Sequence, residues 1–302
     1  MQPLQQIHPA SGLELLAKQV VEGFLIGLHK SPFHGFSVEF AEHRLYNQGE
    51  PIRNLDWKVF ARTEKMFVKK YEEETNLRCQ ILIDASSSMN FKSEGKNTQS
   101  KLEFSVVSAA SIIHLLYRQR DAAGLSIFNE KIVVNTRARS SLQHKQMLFS
   151  HLENLLLHHY RSQKTHAAKC LHEIAESIHK RSMVIIFSDM FEDGNPEELF
   201  SALQHLKYNK HEVILFHVTD KLKELEFAYE NRPYEFVDLE SGEKMKLQPA
   251  EIRDFYYQHM SKFYKELKLK CNQYKIDFVD ADINNNYQQI LQAFLLKRSK
   301  MM

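Results

Sequence analysis

Apolar runs separated by helix-length amphipathic stretches, an apolar fraction large enough for one sizeable core, and oxygen-bearing side chains directly after the first buried run predict an α/β protein. The expected architecture is a doubly wound, mostly parallel sheet with helices on both faces. The chain has 302 residues, 43% of them apolar, with 20 Phe and 12 Tyr. Its 7 Pro and 9 Gly are too few for a fibrous or disordered protein.

The elements follow in order. Leu13, Leu16, Val20, Phe24 and Leu28 recur at helical spacing over 11–29. CQILID (79–84) is short and almost wholly apolar, as a strand buried on both faces should be. A helix carrying Leu102, Val106, Ala109, Ile113 and Leu116 follows, then the strands AGLSIF (123–128) and KIVV (131–134). Leu148, Leu152 and Leu155 mark another helix, and Ala168, Leu171, Ala175 and Ile178 a third that starts after Thr165. The strand MVIIFSD (183–189), a helix with Leu199, Leu203 and Leu206, and the strand EVILFHV (212–218) extend the alternation. It is interrupted at 221–250, where YEFVDLESGEKMKL reads as a small hairpin turning at Ser241–Gly242. A long helix from Ile252 to Leu269, the strand KIDFVD (275–280) and a closing helix lined by Tyr287, Ile290, Leu291, Phe294 and Leu295 complete the chain. The closing helix is expected to cover the sheet edge. Two regions result: an amino-terminal one, 1–76, packed on a main domain, 77–300.

Composition excludes several classes. Forty Lys+Arg against 38 Asp+Glu leave a formal charge of +2, no footprint for nucleic acid. Cys79, Cys170 and Cys271 are widely spaced and read as small buried hydrophobes in a reducing compartment. Neither a signal peptide nor an 18-residue apolar span is visible, so the cytoplasm is the expected location.

Asp84-Ala-Ser86-Ser87-Ser88-Met89 stands at the carboxyl end of a buried strand, where doubly wound sheets collect their functional groups. Asp84, Ser86 and Ser88 make an oxygen-only surface suited to Mg²⁺, with Mn²⁺ or Ca²⁺ as alternatives. Asp189 holds the same place on its own strand, and Thr165 can offer a third hydroxyl. Each residue also has an ordinary role open to it: Ser86 or Ser88 as turn caps, Thr165 and Asp189 as helix caps.

Upstream, residues 29–74 interleave Phe36, Phe40, Tyr46, Trp57, Phe60, Phe67 and Tyr71 with charges. So many aromatics argue for an ordered segment. Arg44, Arg53, Asp56 and Arg62 suit either a buried ion-pair network anchored by Trp57 or a partner surface. Over 41–74 basic and acidic residues balance at seven each, against a nucleic-acid role.

DASSS matches the DxSxS signature of the metal-ion-dependent adhesion site in von Willebrand factor A domains, and the Thr165 and Ser188–Asp189 loops resemble that family's other ligand loops. The segment GFSVEFAEHRLYNQGEPIRNLDWKVFAR resembles the signature of a bacterial family called domain of unknown function 58. It places Gly35, Ser37, Glu39, Phe40, Arg44, Tyr46, Gly49, Arg53, Asp56, Trp57, Ala61 and Arg62 on family positions, departing at Glu50 and Leu55. The likeness runs from about residue 11 to about residue 220. It implies a von Willebrand-type domain that binds proteins, and a MoxR-type AAA+ ATPase or its client as partner.

The expected function is therefore a non-enzymatic, Mg²⁺-dependent interaction module that takes an acidic group of its partner on the metal. The competing class is a metal-dependent hydrolase or phosphoryl-transfer enzyme using Asp84 and Asp189. It lacks a GxxxxGK[ST] loop, a GxGxxG after a strand and a GxSxG elbow.

Overall fold

Six of the extended runs share one sheet. The computed structural model describes residues 9–29, 43–45, 60–62, 66–69, 77–92, 99–157, 166–191, 196–239 and 242–299. Of the described residues, those up to Phe24 and from Leu77 onward make one compact unit, and those within 25–76 the other.

Helix α1 (Pro9–His29) opens the chain. Up to Phe24 it belongs to the sheet unit, where Leu13, Leu16, Ala17, Val20, Val21 and Phe24 are buried. In the second unit β1 (His43–Leu45) pairs antiparallel with β2 (Phe67–Lys69), setting Arg44 opposite Val68.

The main unit continues with β3 (Arg78–Asp84), a single 3-10 turn (Ser87–Asn90) and α2 (Lys101–Arg118). Next come β4 (Ala122–Phe128), β5 (Ile132–Asn135), α3 (Leu142–Leu157), α4 (Ala167–Ser177) and β6 (Met183–Ser188). The chain then forms α5 (Pro196–Tyr208), β7 (Glu212–Thr219) and a π-helical turn (Lys221–Leu225). It ends with the hairpin β8 (Tyr234–Val237) and β9 (Lys244–Leu247), α6 (Pro249–Gln273), β10 (Asp277–Asp282) and α7 (Gln288–Ser299).

The sheet order is β10-β7-β6-β3-β4-β5. Every pairing is parallel except β4 with β5. Side chains alternate between the two faces of a strand. Leu82, Val184, Ile186, Val213 and Leu215 therefore share one face, packed on α4, α5 and the Leu267–Cys271 end of α6. The alternate set, Ile81, Ile83, Ile185, Phe187, Ile214 and Phe216, is equally buried and belongs to the opposite face. On that side Phe187 stacks on Phe216 at 4.9 Å. Fully burying one such aliphatic side chain is worth about 1.5–3 kcal/mol, so two covered faces supply the core that the apolar runs promised.

Helix α2 buries three serines among its apolar side chains. The hydroxyls of Ser105, Ser108 and Ser111 each donate at 2.8 Å to the carbonyl four residues back, so burying them leaves no orphan donor. Gly124 is required for a close approach: a Cβ there would stand 2.1 Å from Gln80 Oε1, whose amide donates to Ser126 and to the Thr136 carbonyl. Helix α7 packs against β10, the edge strand, and against α2.

Several boundaries differ from the sequence expectation: the long helix, for example, extends beyond Ile252–Leu269 at both ends, and the strand expected at 131–134 is Ile132–Asn135. Helix α4 stops at Ser177, and Ile178 is its extended cap. The last strand begins at Asp277, not Lys275, because α6 runs on to Gln273 and closes through Lys275 at φ +58°. Across the expected Ser241–Gly242 turn, Gly242 has φ +75° and its N–H reaches the Asp238 carbonyl at 2.9 Å. Ser241 itself lies outside the described residues.

Candidate functional site

The strand order reverses between β3 and β6: the chain leaves β3 toward β4 on one side and returns to build β6, β7 and β10 on the other. A crevice outside the carboxyl ends of such neighbours is where open α/β sheets bind ligands. Asp84 ends β3, and Ser188–Asp189 ends β6 directly beside it.

Hydrogen bonds join these ends. The Ser86 N–H donates to Asp84 Oδ1 at 2.9 Å, and the Ser188 hydroxyl crosses from β6 to donate to Asp84 Oδ2 at 2.6 Å. The hydroxyls of Ser86 and Ser88 meet at 3.0 Å, and Ser88 in turn hydrogen-bonds Asp189. Asp84 and Ser86 are fully buried, whereas Ser88 is half-buried at the mouth of the site. Beyond β6 the backbone turns sharply at Met190, φ +53°, a left-handed conformation costing about 1–2 kcal/mol in a non-glycine residue. That turn brings the Phe191 N–H back to Asp189 Oδ1 at 3.0 Å and leaves the Phe191 ring exposed beside the site.

Lys101, the first residue of α2, extends its ammonium into the same cluster. Nζ lies 2.7 Å from Asp189 Oδ2 and 2.5 Å from Glu224 Oε1, and the side chain is 1% exposed. Glu224 comes from the turn after β7, where its other oxygen accepts the Asp220 N–H at 2.8 Å. His217 on β7 is buried, and its Nε2–H donates to the Asp189 carbonyl at 3.1 Å.

These contacts separate the carboxyls. Burial, then repulsion from Asp189, pushes Asp84 up to about 7 against the pull of its hydrogen bonds from Ser188 and Ser86. Burial acts on Asp189 in the same direction, but the Lys101 charge and hydrogen bond outweigh it and hold that carboxyl below its usual range. Glu224 is raised, by burial first. Lys101 is desolvated too, yet Asp189 and Glu224 keep it firmly protonated. Burial lowers His217 to about 4, so the imidazole is neutral at physiological pH. The Lys101 ammonium meets two carboxylates, Asp189 and Glu224, while Asp84 feels Asp189 and has only neutral donors; with all three ionised the cluster carries an excess of two negative charges.

Such an excess calls for protons or a cation. The donors are all oxygens, two carboxylates and two hydroxyls from Asp84, Ser86, Ser88 and Asp189, which suits a hard ion such as Mg²⁺. Among the described residues no group of three or more His, Cys, Asp or Glu is placed to share an ion. A cation here would rest on the two aspartates with hydroxyls and water.

The structure thus brings together four of the five metal candidates read from the sequence; Thr165 lies outside the described residues. So do Glu39, Tyr46, Arg53, Asp56 and Trp57. Arg44 sits in β1, and Arg62 is exposed in a short helical turn. Sequence reasoning missed Lys101, Glu224 and His217. A signal for Lys101 existed: Ser100 and Glu103 form a capping box that places a lysine at the positive end of a helix, where it is unfavourable without a carboxylate partner. Another signal was the recurrence of aspartate at four strand ends: Asp84, Asp189, Asp220 and Asp282.

The family model described as "Protein of unknown function DUF58" matches residues 42–264. The chain belongs to the DUF58 family. Uncharacterised proteins of Mycobacterium bovis and Mycobacterium tuberculosis are 32% identical to it over 136 residues, 45% of this chain and 42% of theirs. The chain thus spans about two fifths of the length of the curated relatives it matches. Among solved structures, a conserved hypothetical protein BatB from Bacteroides thetaiotaomicron covers 74% of this DUF58 chain and 98% of its own, at 17% identity and TM-score 0.47. An aerotolerance-related membrane protein from Bacteroides fragilis covers 74% and 99%, at 14% identity and TM-score 0.47. Among the described residues of this DUF58 member, no helix is long and apolar enough to cross a membrane.

Proposed function

We propose that this DUF58 protein is a non-enzymatic interaction module of von Willebrand factor A type. In this reading the Asp84 cluster is a metal-ion-dependent adhesion site for one Mg²⁺, with Mn²⁺ or Ca²⁺ as substitutes. The observation that carries it is the buried excess of carboxylates over Lys101 at the switch in strand order, beside two hydroxyls. Asp84, Ser86, Ser88 and Asp189 hold the ion, with Thr165 as a further hydroxyl. Neutral hydroxyls leave such an ion electron-poor, so its open position favours a carboxylate from a partner. The Ser88 mouth and the exposed Phe191 ring lie where that partner would arrive.

By the family resemblance the partner is a MoxR-type AAA+ ATPase or its client; the proposed place of work, by the sequence expectation alone, is the cytoplasm. A pull-down from extract of the source cell, with Mg²⁺ or with EDTA, tests the reading. Capture of the ATPase that requires Mg²⁺ and is lost in folded Asp84→Ala protein supports it. Capture indifferent to EDTA and to Asp84→Ala overturns it.

A further inference from the structure

Lys101 is an unusual residue to find at the first position of a helix, pointing into a carboxylate cluster with only 1% of its side chain exposed. A positive charge there opposes the helix dipole. Desolvating an ammonium is tolerated only when carboxylates meet it, and here two do: Asp189 at 2.7 Å from β6 and Glu224 at 2.5 Å from the turn after β7. Ser100 and Glu103 fix the start of the helix reciprocally: Glu103 N–H donates to Ser100 Oγ at 3.0 Å and Ser100 N–H to Glu103 Oε2 at 2.7 Å. The root of the lysine is therefore rigid. Glu224 is anchored as well, through the Asp220 N–H at 2.8 Å.

The charges divide unequally. The donors reaching the Asp84 oxygens are neutral, from Ser86 and Ser188, while Asp189 shares a full positive charge with Glu224. We propose that Lys101 is a positioning residue and a built-in counter-charge for the cation site: it holds Asp189 in place and, through Glu224, sets how strongly the site attracts a metal. The inference rests on the cation reading of the Asp84 cluster and adds the residues that govern its affinity.

Electrostatics gives the two partners opposite signs. Removing the ammonium changes the excess at the cluster from two negative charges to three, while removing the Glu224 charge reduces it to one. Over distances of a few ångströms in a desolvated site, one unit of charge changes cation affinity by about tenfold or more. Lys101→Met should therefore bind the metal more tightly than wild type, and Glu224→Gln more weakly. A lysine that served only to hold the fold would give loss in both variants.

Isothermal titration of the full chain with Mn²⁺, on wild type, Asp84→Ala, Lys101→Met and Glu224→Gln, tests this, with folding verified by circular dichroism. The expected result is one Mn²⁺ in wild type, loss in Asp84→Ala, about tenfold tighter binding in Lys101→Met and several-fold weaker binding in Glu224→Gln. If wild type and Asp84→Ala behave so but folded Lys101→Met binds no tighter, the Lys101 role is wrong while the cation site stands. If Lys101→Met does not fold, Glu224→Gln decides alone, and unchanged or tighter binding there overturns the proposal. Absence of Mn²⁺ binding in wild type removes the site and the proposal with it.

Discussion

Asp84 and Asp189 are the same residue type at the same place on neighbouring strands, yet their surroundings treat them oppositely. Asp189 has the Lys101 ammonium; the Asp84 oxygens have the Ser86 N–H and the Ser188 hydroxyl. The Asp84 carboxyl is consequently raised from its ordinary 3.8 to about 7, burial first and Asp189 second. A folded value above the unfolded one means that the native state holds this proton more tightly. The contribution is favourable below about pH 4 and is lost as pH rises to about 7. Metal-free protein at pH 8 therefore carries an unfavourable buried charge, and Asp84→Asn should raise its thermal midpoint in EDTA by an amount worth about 1–3 kcal/mol. The same variant should lose the stabilisation that Mg²⁺ confers on wild type. A midpoint in EDTA that falls on this substitution contradicts the charge assignment. His211 works in the other direction. It is wholly buried, accepts the Ser182 N–H at 3.2 Å and is lowered, mainly by burial, so it is neutral when folded. Its contribution is present above about pH 6.5 and is lost as pH falls, because the unfolded imidazole takes a proton that the folded one refuses. Between pH 7 and 5 the thermal midpoint should fall less, or rise more, in His211→Asn than in wild type, and an identical slope would contradict the assignment.

At the scale of elements, helices end without glycine. Arg120, Lys210 and Lys275 follow α2, α5 and α6 at φ 59°, 60° and 58°, the left-handed conformation usually left to Gly. At Arg120 and Lys275 the following N–H, of Asp121 and Ile276, reaches back five residues at 2.9 and 2.8 Å and closes the last turn. Glycine relieves the side-chain clash but loses more entropy on folding, leaving a net gain of about 0.5–1 kcal/mol. Arg120→Gly and Lys275→Gly should each stabilise by that amount in urea unfolding; destabilisation would mean that the basic side chains hold the ends by other contacts. The same chemistry explains what was legible in the sequence. CQILID, MVIIFSD and EVILFHV were readable because strands buried on both faces need unbroken apolar runs. KIDFVD was misplaced by two residues because β10 is an edge strand, with partial rather than continuous burial, and its start is set by a lysine that sequence rules do not mark as a stop. Asp84, Ser86, Ser88 and Asp189 were readable as a group because strand ends in such a sheet converge. The pairing of Lys101 with Glu224 was not, since an ion pair between residues 123 positions apart leaves no local periodicity and the capping box marks only Lys101's place at a helix start.

For the whole molecule, topology places chemistry. The reversal of strand order between β3 and β6 opens a crevice at the carboxyl end of the sheet where Asp84 and Asp189 stand, and β7 brings Asp220 and the turn bearing Glu224 to the same end. Asn284, beyond β10, donates to both Asp220 and Asp282 at 3.1 Å, so the acidic strand ends are tied to one another as well. Covering both faces with helices leaves this carboxyl end of the sheet as the place where buried oxygens approach solvent, at half-buried Ser88. The proposed function requires a divalent cation to bind there. Paramagnetic broadening by substoichiometric Mn²⁺ in amide NMR spectra of the full chain tests it most directly. The expected result is loss of the Ala85–Met89 and Ser188–Met190 signals first, reversed by excess Mg²⁺ and absent in Asp84→Ala. Broadening centred elsewhere, or the same pattern in Asp84→Ala, would mean that the Asp84 cluster is not the cation site.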